Sequence, residues 1–267
     1  MSRIDLKAFF MTTLVVALAA LAAGACGPVE PEEKDPVDLL ALLHPNGQDI
    51  RGLSIESKAM NRTMKYNVWL PPKFDVNQAY PILYLLHGAG DDQNAWLDKG
   101  DAMAIAAKYV KAGGKPMIIV MPDAQLTFYM GEFETYFYDE LLPDVESRYK
   151  FSGKRAVAGL SMGGYGTLYY ALKYPGMFTY GYAMSPATAE WFTSLVDLQS
   201  DKTVFPSFTI EVGTEDTTVN NAESEALARY MKEKGLTCEW IARTGIHYWN
   251  FWRECLPKAL KKAGSSF

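Results

Sequence analysis

The chain has 267 residues, 49% of them hydrophobic and 21% charged, with a formal net charge of −5. This size and composition fit one large globular domain or two small ones and exclude a largely disordered chain. The acidic balance offers no basic surface to neutralise a phosphate backbone, which argues against nucleic acid as a partner. Three cysteines and three histidines, without a CxxC pair, supply neither a disulfide framework nor a metal-ligand cluster. No metal is therefore expected.

The first elements read as an address. Arg3 and Lys7 precede an uncharged stretch from Ala8 to Val29. Its apolar part, Phe9 to Ala23, is 15 residues long, short of the roughly 20 that span a bilayer and suited to a signal peptide. Residues 1–25 are thus expected to be a leader. Ala23-Gly24-Ala25-Cys26 resembles a bacterial lipobox, in which the cysteine is lipidated. Ala23 stands where leucine is usual, and ordinary cleavage of a secreted protein is the alternative. If Cys26 carries lipid, the anchor is its only membrane contact, and the protein is an outer-membrane or cell-surface lipoprotein; otherwise it is periplasmic or secreted. Residues 26–49 read as an acidic, proline-rich tether, because three prolines and four acids within Gly27–Pro36 cannot build a core.

From residue 50 to 267 the pattern alternates between strand and helix. Met64–Leu70 alternates in hydrophobicity and stops at Pro71-Pro72. Pro81–His87 and Met117–Met121 are continuous apolar runs, as in strands buried on both faces. Asp101–Lys111 reads as a helix closed by Gly113-Gly114, and Tyr138–Tyr149 as an amphipathic helix with Pro143 near its start. Arg155–Leu160 reads as a strand, Gly164–Tyr174 as a helix, and Phe178–Met184 and Phe208–Val212 as further strands. Ala222–Lys234 is helical, Leu236–Ala242 a last strand and Trp249–Lys262 a last helix. Such alternation predicts a single α/β domain: a mostly parallel central sheet with helices on both faces.

The chemistry gathers at Gly159-Leu160-Ser161-Met162-Gly163. A G-x-S-x-G between a strand and a helix is a nucleophile elbow, a tight turn that lifts a serine hydroxyl clear of the end of the sheet. Glycines flank the serine because side chains there would collide. A serine needs a base to become a nucleophile. In an α/β-hydrolase fold the order is Ser, then Asp or Glu, then His. Of His44, His87 and His247 only the last follows Ser161. The orienting acid should end the strand between them, where Asp216 is the first choice and Glu215 its nearest rival. Two backbone N–H groups must receive the developing oxyanion: Met162, after the nucleophile, and Ala89, in the loop Leu86-His87-Gly88-Ala89-Gly90. His87 reads as a support at the strand end. Trp96, Gln125, Phe128, Tyr129 and Trp249 lie on loops near these segments and are candidates for substrate binding, with core packing as the competing explanation for each aromatic.

These segments, Leu85-Leu86-His87-Gly88-Ala89-Gly90 with Trp96, Gly159 to Gly164, and Gly213-Thr214-Glu215-Asp216 with His247, resemble the esterase D-like α/β hydrolases. The chain is most similar there to carbohydrate esterase family 1, the feruloyl and acetylxylan esterases, over roughly residues 50 to 262. The resemblance implies an α/β-hydrolase fold, no cofactor, a triad on Ser161, Asp216 and His247, and an acylated plant polysaccharide or oligosaccharide as partner. One departure is Ile246, where the family often has glycine before the histidine. The expected activity is hydrolysis of feruloyl esters, or acetyl esters, on xylan-type sugars through an acyl-enzyme. Two alternatives stay open: the same fold acting on another ester or thioester, such as a siderophore ester or S-formylglutathione, and a non-catalytic carbohydrate-binding relative.

Overall fold

The computed structural model describes residues 44–267. The leader, Cys26 and residues 26–43 of the tether lie outside the described residues. The folded part starts before the boundary at residue 49. The indole of Trp69 donates to Asn46 O at 3.2 Å, and the first strand opens at Gln48.

Eight strands form one sheet: β1 (Gln48–Ser57), β2 (Arg62–Leu70), β3 (Tyr80–Leu86), β4 (Ile118–Pro122), β5 (Phe151–Leu160), β6 (Tyr180–Met184), β7 (Ser207–Gly213) and β8 (Cys238–Arg243). Their spatial order is β1-β2-β4-β3-β5-β6-β7-β8. β1 and β2 pair antiparallel, β2 pairs antiparallel with β4, and β3 to β8 run parallel. The parallel strands are the continuous apolar runs, and β3 is buried along its whole length. Alternate side chains face opposite layers. Ile82, Tyr84 and Leu86 point into one core, Leu83 and Leu85 into the other.

The second core is covered by α1 (Ala95–Asp98), α2 (Ala102–Lys111) and the last helix, α8 (Trp249–Ser266). The first is covered by α3 (Glu132–Tyr136), a π turn (Phe137–Leu141), α4 (Leu142–Arg148), α5 (Met162–Lys173), α6 (Phe192–Leu198) and α7 (Asn221–Glu233). The helix expected from Tyr138 thus begins earlier and is interrupted. Pro143 sits at the start of α4, where its missing N–H is harmless, and the wide turn before it lets the chain continue. Cys238 and Cys255 are free and buried. They belong to opposite cores, so the fold keeps them from pairing.

Candidate active site

Ser161 ends β5 and caps α5 with φ 52° and ψ −116°. A non-glycine residue there carries strain of order 1–3 kcal/mol, which the surroundings must impose. They do so through the backbone. Ser161 N donates to Met184 O at 2.9 Å, and Ser161 O accepts from Tyr165 N at 2.9 Å and Ala187 N at 3.2 Å. The flanking glycines are dictated by contact. A Cβ on Gly159 would lie 2.3 Å from Gly163 O, and one on Gly163 would lie 2.4 Å from Leu86 O.

His247 lies in the loop between β8 and α8. Its Nδ1 is 2.6 Å from Asp216 Oδ2 and its Nε2 is 2.9 Å from Ser161 Oγ. A carboxylate can only accept, so Nδ1 carries the proton and Nε2 is free to accept from the serine hydroxyl. The Asp216 carboxylate is shut away from solvent, and its second oxygen accepts from Thr218 N at 2.9 Å. Glu215, the rival acid, is exposed. Its backbone N–H instead ties the two loops together by donating to Gly245 O at 2.9 Å.

Met162 is the first residue of α5, so its N–H has no acceptor within the helix. Ala89 N likewise donates to no acceptor among the described residues. Gly88 brings that loop against the serine, since a Cβ on Gly88 would lie 3.5 Å from Ser161 Cβ. The buried His87 ring sets the loop's orientation. Nδ1 donates to Gly88 O at 2.7 Å, and Nε2 accepts from Ala124 N at 2.9 Å. The Gly88–Ala89 peptide is planar, so holding its carbonyl also aims its N–H. Burial pushes the His87 pKa below the usual histidine value, against the hydrogen bond to Gly88 and the nearby Asp123. The ring is therefore neutral, as both hydrogen bonds require.

A serine at an elbow, a base within reach, a buried acid behind it and two free N–H groups beside it are the parts of an acyl-transfer site. The Esterase family model matches residues 57–263, which takes in all of them. The chain belongs to the Esterase family. It is 29% identical over 231 residues to the endo-1,4-beta-xylanase/feruloyl esterase of Xylanibacter ruminicola, covering 80% of this chain and 31% of that protein. It is 39% identical over 126 residues to an esterase of Mycobacterium tuberculosis, covering 42% of this chain and 26% of that one. The chain thus spans less than a third of the length of either relative. Among solved structures, a ferulic acid esterase superposes with a TM-score of 0.75 at 27% identity, covering 83% of this chain and 100% of that one. The S-formylglutathione hydrolase of Agrobacterium tumefaciens superposes with a TM-score of 0.68 at 18% identity, covering 82% and 96%, a likeness of fold alone.

In this Esterase family member the candidate substrate residues divide. Trp96 is a core residue: it is 1% exposed, donates from Nε1 to Leu86 O at 3.0 Å and packs edge-on against Trp249. Trp249, at 8%, is the other half of that pair. Tyr129 is fully buried, with its hydroxyl on His87 O at 2.9 Å. For these three the competing explanation, core packing, holds, because each ring has a partner that solvent exposure would remove. Gln125 and Phe128 do reach solvent. The Phe128 ring stands edge-on to Tyr165 at 5.5 Å, and Tyr165 in turn meets Trp191 at 6.4 Å. Sequence reasoning missed both partners. Tyr165 was findable, because on a helix the residue four past Ser161 shares its face. Trp191 was not, because the segment from 185 to 206 carries no clear periodicity. Among the described residues no helix is long and apolar enough to cross a membrane.

Proposed function

We propose that the chain is a carboxylic ester hydrolase that cleaves hydroxycinnamoyl esters, feruloyl in type, from xylan-like plant polysaccharide or its oligosaccharides. Ser161 Oγ attacks the acyl carbonyl while His247 Nε2 takes its proton. The oxyanion is received by the N–H groups of Met162 and Ala89. As the tetrahedral adduct collapses, the C–O bond to the sugar breaks and His247 returns the proton to the leaving hydroxyl. Water, deprotonated by the same imidazole, then splits the acyl-enzyme and frees the acid. Asp216 stabilises the imidazolium formed in each half-reaction without taking its proton.

One observation carries the choice of acyl group. Six of the nine large apolar side chains left exposed among the described residues, Leu126, Phe128, Met130, Trp191, Ile246 and Tyr248, stand on loops that follow β4, β6 and β8 at the serine's end of the sheet. An acetyl group needs no such surface, whereas an aromatic ring gains about 0.5–1.5 kcal/mol from each edge or stacking contact. The relatives whose names include feruloyl or ferulic acid esterase support the same reading.

The test is kcat/KM for methyl ferulate against an acetylated xylo-oligosaccharide, in wild type, Phe128→Ala, Trp191→Ala and Ile246→Gly. Loss of either ring should cost roughly fivefold on ferulate, about 1 kcal/mol, and leave deacetylation unchanged. A wild type that ignores ferulate but deacetylates the oligosaccharide would reverse the assignment. Turnover of neither would move the enzyme to another ester. Export and a lipid anchor at Cys26 belong to the same proposal, since a polymer substrate lies outside the cell. Cys26→Ser should release the protein to the soluble fraction or block its processing, and a membrane-bound variant after normal cleavage would refute the anchor.

A further inference from the structure

Glu211 lies in β7 with no solvent exposure, yet three donors converge on its carboxylate. Arg243 Nε donates to Oε1 at 2.5 Å, Lys258 Nζ to the same oxygen at 2.6 Å, and Tyr182 to Oε2. Burial opposes its charge, and the bonds from Lys258, Tyr182 and Arg243 outweigh that, holding the carboxyl below the usual glutamate range. A buried ion cluster is weak evidence for stability, because well-packed apolar side chains of the same volume serve as well. What this cluster does hold in common is two loops. Glu211 stands five residues before Asp216, and Arg243 four before His247. The two strands are neighbours, with Glu211 opposite Ile241 and Gly213 opposite Arg243.

Arg243 closes the neck of the histidine loop. It leaves β8 as the strand ends, and its guanidinium reaches past the loop to the first turns of α8. There Nη2 donates to Phe251 O at 3.1 Å and Nη1 to Glu254 Oε2 at 2.7 Å. The guanidinium carbon also lies 3.9 Å from the centre of the Phe251 ring. That ring fills the space under Gly245, where a Cβ would come within 2.3 Å of it. The guanidinium therefore fixes both ends of a loop that carries His247 between them, and Glu211 fixes the guanidinium to the strand that leads into the loop of Asp216.

We infer that Glu211 and Arg243 are a positioning pair that keeps His247 in register with Asp216. Neither touches the reacting atoms, so neither is a catalytic residue. The inference rests on the proposed roles of His247 and Asp216. Its physical content is that the Nδ1–Oδ2 contact depends on the guanidinium being present. A misplacement of about 1 Å at a reacting group costs up to about 10²-fold in rate.

The test compares Arg243→Met, Arg243→Lys and Glu211→Gln with wild type in the full chain. Three quantities are read: kcat and KM separately on a chromogenic ester, the far-downfield proton resonance of a hydrogen-bonded His247 Nδ1–H, and thermal unfolding. Arg243→Met should lower kcat 10- to 100-fold with KM within twofold, and broaden or abolish the downfield resonance. Glu211→Gln should do the same to a lesser degree, and Arg243→Lys should restore part of both. A folded Arg243→Met that keeps its kcat within twofold and its resonance unchanged would overturn the inference, whatever its melting temperature. So would a fall in kcat with the resonance intact. Where Arg243→Met does not fold, Glu211→Gln decides by the same two readings. A wild type that turns over no ester yet loses the resonance in Arg243→Met would sink the proposed function and leave the positioning pair standing.

Discussion

At the carboxyl ends of the parallel strands the backbone adopts positive φ at Gln125 (51°), Phe128 (52°), Tyr129 (60°) and Ser161 (52°). Among the described residues the N–H groups of Ala89 and Met162 there have no acceptor, and six large apolar side chains of the loops at that end are exposed. The opposite end is built otherwise. Arg155 lies six residues before Ser161 on β5, about 20 Å away at strand spacing. It forms with Glu134, Tyr138, Glu146, Lys173 and Tyr174 the walls of a cleft of about 620 Å³. Every charge in those walls named here is paired: Arg155 with Glu146 at 2.5 Å and Lys173 with Glu134 at 2.6 Å. Glu134 also accepts from Tyr169 at 2.7 Å and from Tyr174. Volume alone does not make that cleft the site. Chemistry points to the other end, because both cations of that cleft, Arg155 and Lys173, are already neutralised by carboxylates of its own walls.

Substitution at the serine's end breaks this contrast most sharply. Ser161→Ala should abolish turnover, by about 10⁶-fold in kcat on the precedent of serine hydrolases, and leave the melting temperature within a degree or two. Asp216→Asn should cost about 10⁴-fold, because the amide favours the wrong imidazole tautomer, while Glu215→Gln should cost almost nothing. Steady-state kinetics on a chromogenic acetate ester, beside thermal unfolding of each variant, reads both. A Ser161→Ala protein within tenfold of wild type would remove the nucleophile from the elbow.

The far end should respond in the opposite sense. Burial works against the Glu134 charge, but the bonds from Lys173, Tyr174 and Tyr169 outweigh it, and its carboxyl lies below the usual glutamate range. Glu134→Gln weakens three hydrogen bonds at once and leaves Lys173 without its counter-charge. The expected loss is about 1–3 kcal/mol of stability, read by urea unfolding, with kcat/KM within twofold of wild type. A variant of undiminished stability but impaired catalysis would mean that the two ends are coupled and the cleft is not merely structural.

Much of this arrangement was legible in the sequence because it rests on local rules. The buried runs of β3 and β4 and the elbow follow from composition and spacing, and the order Ser161, Asp216, His247 from the chain order of an α/β-hydrolase fold. β1 was not legible. It is an edge strand in which a bulge between Ile50 and Leu53 breaks the alternation, leaving only Leu53 and Ile55 in phase against the core. Nor was α6, which only two buried side chains, Phe192 and Val196, hold to the core. Three of the four aromatic candidates turned out to pack in the core for a related reason. Whether Trp96, Tyr129 or Trp249 faces substrate or core depends on contacts with Leu86, His87 and one another, which spacing along the chain does not encode. Phe128 differs from Tyr129 by one residue and by direction.

The last expectation concerns pH and separates the two ends again. As pH falls, the unfolded chain takes up a proton on histidine near 6.5. The folded chain refuses it at His87, because burial holds that ring neutral against the pull of Gly88 O, Asp123, Asp91 and Asp92. The stability His87 contributes is therefore complete above about pH 6.5 and is lost as pH falls below it, with a slope of at most about 1.4 kcal/mol per pH unit. Glu134 at the far end has its pKa lowered from 4.5, so its contribution persists to that value and is lost only at lower pH. Thermal unfolding between pH 7.5 and 5.5 isolates the histidine window. Wild type should lose stability across it, and His87→Gln, whose amide oxygen can still accept from Ala124 N but cannot take up a proton in this range, should lose less. Protonated His87 would present a second N–H to Ala124 N and turn that nitrogen toward Asp123 Oδ1, 3.8 Å away. Parallel slopes in the two proteins would mean that the proton is accommodated without breaking the Ala124 contact, and that His87 is not what makes the serine's end the acid-sensitive one.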